Sequence, residues 1–266
     1  MDGRLIDLSA WYSVTTGESG AVVYRSPDGA RYAKTGSVNL LADLETDLQA
    51  ERDRIEWLSA QHIPSPTVLD WSTGPNGPVL VTSAVQGISA DQLDADDLDK
   101  AWPAIADAVR RLHALPTSGC PFTRTLGAMM ATARAVVARE AVNPDFLPDA
   151  DRSVPARDLL VRVESTLPER LGQEQSDLVV CHGDLCLPNI VISPKDFSVA
   201  GFIDLGRLGL ADRHADLALL FANSRETWPE DTRAANAHAR FEQVYGTRAD
   251  PERLGFYLQL DPLTWG

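Results

Sequence analysis

Cysteine is scarce in this chain: Cys120, Cys181 and Cys186 are the only three among 266 residues. Their spacing offers no disulfide framework and no four ligands for a structural zinc, so they read as small buried apolar residues of a reducing compartment. Positive charge is also in short supply. Lys and Arg number 24 against 38 Asp and Glu, a formal net charge of −14, which repels nucleic acid and anionic membrane and attracts cations. Neither a polynucleotide nor a lipid surface is therefore expected as a partner. No stretch approaches the roughly 18 apolar residues of a membrane span, and Met1-Asp2-Gly3-Arg4-Leu5-Ile6-Asp7 sets no basic segment before an apolar one, as a leader peptide would. A cytoplasmic location is expected, with the chain working as a monomer. The length suffices for one large domain or two lobes with an ample core.

What is present is concentrated between Asp177 and Leu208, where the centre reads Val180-Cys181-His182-Gly183-Asp184-Leu185-Cys186-Leu187-Pro188-Asn189. An apolar run, Leu178 to Cys181, delivers a short polar loop, a second, Asn189 to Ile192, leaves it, and a third, Val199 to Ile203, ends at Asp204. These read as short buried strands. The Ser193-Pro194-Lys195-Asp196 turn folds the chain back, so that Asp204 is expected near Asp184 and Asn189. An Asp-x4-Asn loop followed by a strand-borne Asp matches the working parts of kinase-type phosphoryl transfer. One Asp takes the proton of the acceptor hydroxyl, and the Asn and second Asp hold Mg²⁺ against nucleotide phosphates. Each residue also has a plainer reading, Gly183-Asp184 as a turn, Asp204 as a strand-end cap and His182 as a brace of the loop; the combination at this separation outweighs them.

The amino-terminal third alternates and turns. Tyr12 to Val14, Ala21 to Arg25 and Ala30 to Lys34 read as a meander of strands, with Ser26-Pro27-Asp28-Gly29 as a turn. Gly17 to Gly20, with Ser19 inside it, is not a Walker A loop, since no Gly-Lys-Ser/Thr follows. Its position before the strand-end Lys34 suits a small loop that covers phosphates with backbone N–H groups. Leu44, Leu48, Ile55 and Leu58 form one helical stripe, and Glu51 lies inside it. A carboxylate on an inward face is costly unless paired, so Glu51 is expected to pair with Lys34. Thr67 to Trp71 and Val79 to Ser83, joined by Gly74-Pro75-Asn76-Gly77-Pro78, complete a five-stranded antiparallel sheet.

From Lys100 the chain turns helical. Ala101, Ile105, Ala108, Val109 and Leu112 give one amphipathic stripe, Leu126, Met129, Met130, Ala133, Val136 and Val137 a second, and Leu159, Leu160, Val163 and Leu167 a third. Helices are also expected from Asp231 to Tyr245 and from Pro251 to Leu260, the latter opening on a proline. The acidic, proline-bounded loop Asn143 to Asp151 reads either as a lid over a cationic ligand or as an ordinary acidic surface.

His182-Gly183-Asp184-x4-Asn189 together with Ile203-Asp204-Leu205-Gly206-Arg207 resembles the aminoglycoside phosphotransferase family. The likeness is nearest to the 3''-phosphotransferases acting on streptomycin, carried by Ala141 to Asp149, Val179 to Asp184, Ile203 to Gly209 and the ending Asp261-Pro262-Leu263-Thr264-Trp265-Gly266. It implies an α+β, protein-kinase-like bilobal fold: a nucleotide-binding lobe over 1–83 with a five-stranded sheet and one long helix, a hinge over 84–88, and a mainly helical catalytic lobe over 89–266. It implies ATP and Mg²⁺, with Asp184 as catalytic base, Asn189 and Asp204 as metal ligands, and Lys34, Glu51, Ser19, Ser83 and Val85 on the nucleotide. Adenine would meet the Ser83 carbonyl and the Val85 N–H. On the acceptor side it implies Asp184, Asn223, Asp261 and Asp149, with Arg207 near the transferred phosphate or ordering the metal loop. Asp216 is expected to support the catalytic loop.

The implied acceptor is streptomycin, a polyhydroxylated dication that an acidic protein concentrates. The kanamycin- and neomycin-modifying 3' enzymes typically carry an acidic residue where Asn223 stands and a different terminus. Two rivals keep the machinery and change the substrate, a kinase of another aminoglycoside or of another small hydroxylated metabolite. A third, a catalytically inactive nucleotide-binding relative, is opposed by the intact Lys34, Glu51, Asp184, Asn189 and Asp204.

Overall fold

The computed structural model describes residues 7–14, 21–35, 41–74 and 77–266, and within its first helix the side chains from position 47 onward. The Gly17 to Gly20 loop with Ser19, the side chain of Leu44, and Pro75 and Asn76 lie outside the described residues.

Strands β1 (Tyr12–Val14), β2 (Val22–Arg25) and β3 (Arg31–Thr35) form an antiparallel meander. The turn between β2 and β3 closes because the Asp28 carboxylate accepts from the Ser26 hydroxyl and, at 3.0 Å, from the Ala30 N–H, while Gly29 takes φ +68°, which glycine adopts without strain. Helix α1 (Leu41–Ala60) follows, then β4 (Val68–Gly74) and β5 (Gly77–Ser83). The sheet order is β1-β2-β3-β5-β4, every neighbouring pair antiparallel. α1 packs on β5 and β4 and buries Leu48, Ile55 and Leu58, each contributing about 1.5–3 kcal/mol of apolar transfer.

The chain continues through β6 (Ile88–Ser89), α2 (Ala95–His113), α3 (Leu126–Ala138), α4 (Ala156–Asp177), β7 (Leu178–Cys181), β8 (Ile190–Ile192), β9 (Val199–Phe202), β10 (Gly209–Asp212), α5 (Arg213–Thr227), α6 (Asp231–Tyr245) and α7 (Pro251–Leu260). It divides into two compact units, Met1–Ser89 with Asn189–Gly206, and Ala90–Pro188 with Arg207–Gly266. The first unit recruits Asn189–Gly206 by hydrogen bonding. β8 pairs with β6 and β9, the Phe202 N–H donates to the Pro64 carbonyl at 3.0 Å, and a Cβ on Gly201 would meet that carbonyl at 3.0 Å and Val85 at 3.1 Å.

The second unit is built on helices. α2 starts at Asp94, whose carboxylate accepts from the Asp96 and Asp97 N–H groups, a side-chain N-cap. Its apolar stripe is buried from Leu98 to Leu112, and Trp102 meets Trp228 edge-on at 4.9 Å and Phe241 at 5.4 Å. α3, α4 and α7 share a core of Leu126, Met129, Met130, Leu159, Val163 and Leu260. β7 pairs antiparallel with β10, which runs directly into α5. No helix among the described residues is long and apolar enough to cross a membrane.

Candidate active site

In the first unit β3 places Lys34 opposite Val23 on one side and Leu80 on the other. The Lys34 Nζ lies 2.7 Å from Glu51 Oε1 and 2.9 Å from Asp204 Oδ1. Glu51 shares the inward face of α1 with Leu48, Ile55 and Leu58, and all four are buried. Burial works against the ammonium, but the Glu51 and Asp204 carboxylates outweigh it and raise the Lys34 pKa, so the lysine stays charged. Burial likewise raises the Glu51 carboxyl against the attraction of Lys34, and the Asp204 charge adds to the rise. Two carboxylates thus compete for one ammonium.

Asp204 has a left-handed backbone, φ +59°, uncommon for a residue with a side chain. Just before it, the Ile203 N–H donates to the Asn189 carbonyl at 3.0 Å, which brings the residue preceding Asp204 against Asn189. The side chains in this region offer a carboxylate and a carboxamide, oxygen donors of the kind Mg²⁺ takes, and the Asp204 carboxylate already accommodates a cation in the Lys34 ammonium. Ser83, at the end of β5, donates its N–H to the Thr67 carbonyl at 2.9 Å and takes the Thr67 N–H on its hydroxyl at 2.9 Å. Val85 is half-buried beside Gly201.

In the second unit β7 ends at Cys181 and the chain turns through His182, Gly183 and Asp184. Helix α5 holds that turn. Asp216 Oδ2 accepts the His182 N–H at 2.7 Å, and Oδ1 accepts the Gly183 N–H at 2.8 Å. His113 Nε2 lies 3.1 Å from the same Oδ2, with its Nδ1 2.7 Å from the Tyr245 hydroxyl. Asp216 has no exposed surface; burial disfavours its charge, but the hydrogen bond from His113, the electrostatic attraction of His113 and His182 and the Gly183 amide outweigh that and lower its pKa. Gly183 takes φ +86°, and a Cβ there would stand 2.1 Å from the Arg207 carbonyl, so only glycine fits. Asp184 is half-buried, its N–H 3.3 Å from His182 Nδ1. Three residues later the Leu187 N–H donates to Asn223 Oδ1 at 2.8 Å.

His113, Cys181 and Asp216 bring three potential metal-ligating atoms within 4.8 Å. Burial pushes the Cys181 thiol up and Asp216 is committed to two loop amides, so this cluster braces the loop.

The carboxyl-terminal segment forms a second assembly in the same unit. Asp261 is buried and accepts from Arg124 at 2.9 Å and from the Trp265 indole at 3.1 Å, with Arg207 at 3.7 Å. Arg207 donates to the Thr264 hydroxyl at 3.0 Å and carbonyl at 3.1 Å, and its guanidinium stacks 3.3 Å from the Trp265 ring centre. Phe146 meets the Trp265 ring at 5.9 Å.

Lys34, Glu51, Asn189 and Asp204 are thus gathered in one unit, Asn223 on α5 holds the loop that carries Asp184 in the other, and Arg207 and Asp261 meet beside the terminus. Asp149 stands on an exposed loop, its side chain 90% accessible and paired with Arg152 at 3.1 Å. Arg124 carries a part of this arrangement that no local pattern announces; its partner lies 137 positions away.

The model of the phosphotransferase enzyme family matches residues 12–257. A streptomycin 3''-kinase of Streptomyces griseus is 59% identical over 96% of this chain and 93% of its own length. An aminoglycoside 3'-phosphotransferase of Streptomyces fradiae is 39% identical, with 94% of each covered. Among solved structures, the aminoglycoside phosphotransferase APH(3'')-Id of Streptomyces rimosus in complex with ADP and streptomycin superposes with a TM-score of 0.90 at 53% identity, over 98% of this chain and all of that one. A type VIII aminoglycoside-3'-phosphotransferase gives 0.81 at 30% identity, covering 96% and 94%. The kinase-like architecture expected from the motifs is therefore the one observed, and the chain belongs to the phosphotransferase enzyme family.

Proposed function

We propose that the chain transfers the γ-phosphate of ATP to the 3''-hydroxyl of streptomycin and so confers resistance to it. The observation that carries the reading is the Lys34–Glu51–Asp204 cluster in a chain 59% identical to a streptomycin 3''-kinase. The relative solved with ADP and streptomycin supports both the nucleotide and the acceptor class.

In this mechanism Asp184 accepts the proton of the 3''-hydroxyl as that oxygen bonds to the γ-phosphorus, and the bond to the β,γ-bridging oxygen breaks to release ADP. Lys34, aimed by Glu51, steadies the α- and β-phosphates. Asn189 and Asp204 would hold Mg²⁺, which supplies charge neutralisation to the phosphates when bound. Adenine meets the Ser83 carbonyl and the Val85 N–H. The nucleotide lobe spans 1–83, the hinge 84–88 and the catalytic lobe 89–266. On the acceptor side the guanidino groups of streptomycin meet carboxylates, with Asp261 and Asp149 as candidates beside Asp184; Asp261 is already shared with Arg124 and Trp265. Positioning and charge neutralisation supply most of the acceleration. A single chain in the cytoplasm, where ATP is available, suffices.

ADP release from ATP and Mg²⁺, followed in parallel with streptomycin, kanamycin and choline, tests the reading. Turnover with streptomycin alone is expected; turnover with kanamycin or choline and none with streptomycin would replace the acceptor.

A further inference from the structure

We propose that Asn223 is a positioning residue of the phosphoryl-transfer loop, which fixes Asp184 by holding the Leu187 amide from the same helix that holds His182 and Gly183. The proposal rests on the kinase reading above, in which Asp184 is the base.

Asp216 and Asn223 are seven residues apart on α5, about two helical turns with a drift of only about 20°, so they project from nearly one face. Asp216 takes the amides of His182 and Gly183, the two residues before Asp184, at 2.7 and 2.8 Å. Asn223 Oδ1 takes the amide of Leu187, three residues after it, at 2.8 Å. Asp184 is thereby bracketed by hydrogen bonds to one rigid element. Leu185 and Leu187 are both buried, so their side chains seat the intervening backbone on the core and leave Asp184 at the half-exposed position.

The orientation of the Asn223 amide is set by a second contact. Its Nδ2 donates to Glu226 Oε1 at 3.1 Å, which turns the carbonyl oxygen to the loop, since Leu187 supplies a donor and Glu226 an acceptor. What the loop demands at 223 is an oxygen acceptor of this length. Aspartate supplies one; leucine fills similar space and supplies none. A direct contact of Asn223 with the antibiotic would express itself in streptomycin affinity, whereas a loop anchor acts on turnover.

The test compares the full chain with Asn223→Leu and Asn223→Asp, measuring Leu187 amide exchange by NMR together with kcat, KM for ATP and KM for streptomycin. Asn223→Leu is expected to speed Leu187 exchange and lower kcat by about tenfold or more, with both KM values within about twofold, the signature of lost transition-state positioning. Asn223→Asp is expected to restore Leu187 protection and most of the lost kcat. A streptomycin KM that rises in Asn223→Leu at unchanged kcat, or Leu187 exchange equal to that of the parent chain, would overturn the proposal. If Asn223→Leu does not fold, Asn223→Ala carries the same comparison. A parent chain without streptomycin turnover would instead refute the kinase reading, and Leu187 exchange would still decide the anchor.

Discussion

Lys34 and Glu51 meet at 2.7 Å although 17 positions separate them, and the same ammonium reaches Asp204 at 2.9 Å across 170 positions. The glutamate holds the lysine at the strand end, and the aspartate belongs to the Asp-Leu-Gly-Arg segment. Glu51→Gln keeps an oxygen acceptor but removes the charge that aims the lysine. An increase of about tenfold in KM for ATP is expected, about 1.4 kcal/mol of nucleotide positioning, with KM for streptomycin little changed. Steady-state kinetics with each substrate varied in turn measures both; an unaltered KM for ATP would detach Glu51 from the nucleotide.

Asp184→Asn preserves size and most hydrogen bonding while removing the proton acceptor. The phosphorylation rate is expected to fall by about 10³-fold, within the range of general base catalysis, while ATP affinity by calorimetry stays near that of the parent. Near-normal turnover in this variant would remove Asp184 from the base role.

Asp216 serves stability as well as geometry. Asp216→Ala leaves the buried His182 and Gly183 amides and His113 without their shared acceptor, and losing one partner of such a buried charged network costs about 3–5 kcal/mol. Urea denaturation should show that loss as a lower midpoint. A loss below about 1 kcal/mol would mean that the loop amides find other partners.

His238 adds a pH dependence. Its ring stacks on Phe221 with centres 4.2 Å apart and its Nε2 lies 3.1 Å from the Ser224 hydroxyl. Burial, with the Arg225 charge adding to it, lowers its pKa from 6.5 to about 4. The folded state then binds fewer protons than the unfolded one, so this stabilisation is present above pH 6.5 and is lost as pH falls towards 4. Comparing His238→Gln with the parent isolates the contribution, because every other acid titrates in both. The variant is expected to lose less stability between pH 6.5 and 4 in denaturant melts; parallel curves would contradict the shift.

Much of this arrangement is legible in the chain because its signals are local. The strands beside Asp184 and Asp204 announce themselves as apolar runs around a polar loop, and Glu51 stands out as a carboxylate inside an apolar stripe. α6 and α7 span the residues expected of them, Asp231–Tyr245 and Pro251–Leu260, the second opening on Pro251. What lies beyond local pattern is partner choice at long range. Arg207 reads as a phosphate or metal-loop cation, and in the structure its guanidinium lies on Thr264 and Trp265. Asp261 is expected on the acceptor side, and its pairing with Arg124 depends on α3 and the carboxyl-terminal segment packing together. His113 ends a helical stripe where a side chain either packs or caps, and its hydrogen bond to Asp216 spans 103 positions. The left-handed backbone of Asp204 has no signature in a residue type that elsewhere prefers other conformations.

The structure of the product formed from ATP, Mg²⁺ and streptomycin, read by phosphorus–proton correlation NMR, decides most directly whether the 3''-hydroxyl is the acceptor. One new phosphorus coupled to the proton on C3'' of the antibiotic, with stoichiometric ADP, is the predicted result. A phosphate on any other hydroxyl, or ADP formed with streptomycin left unmodified, would contradict it.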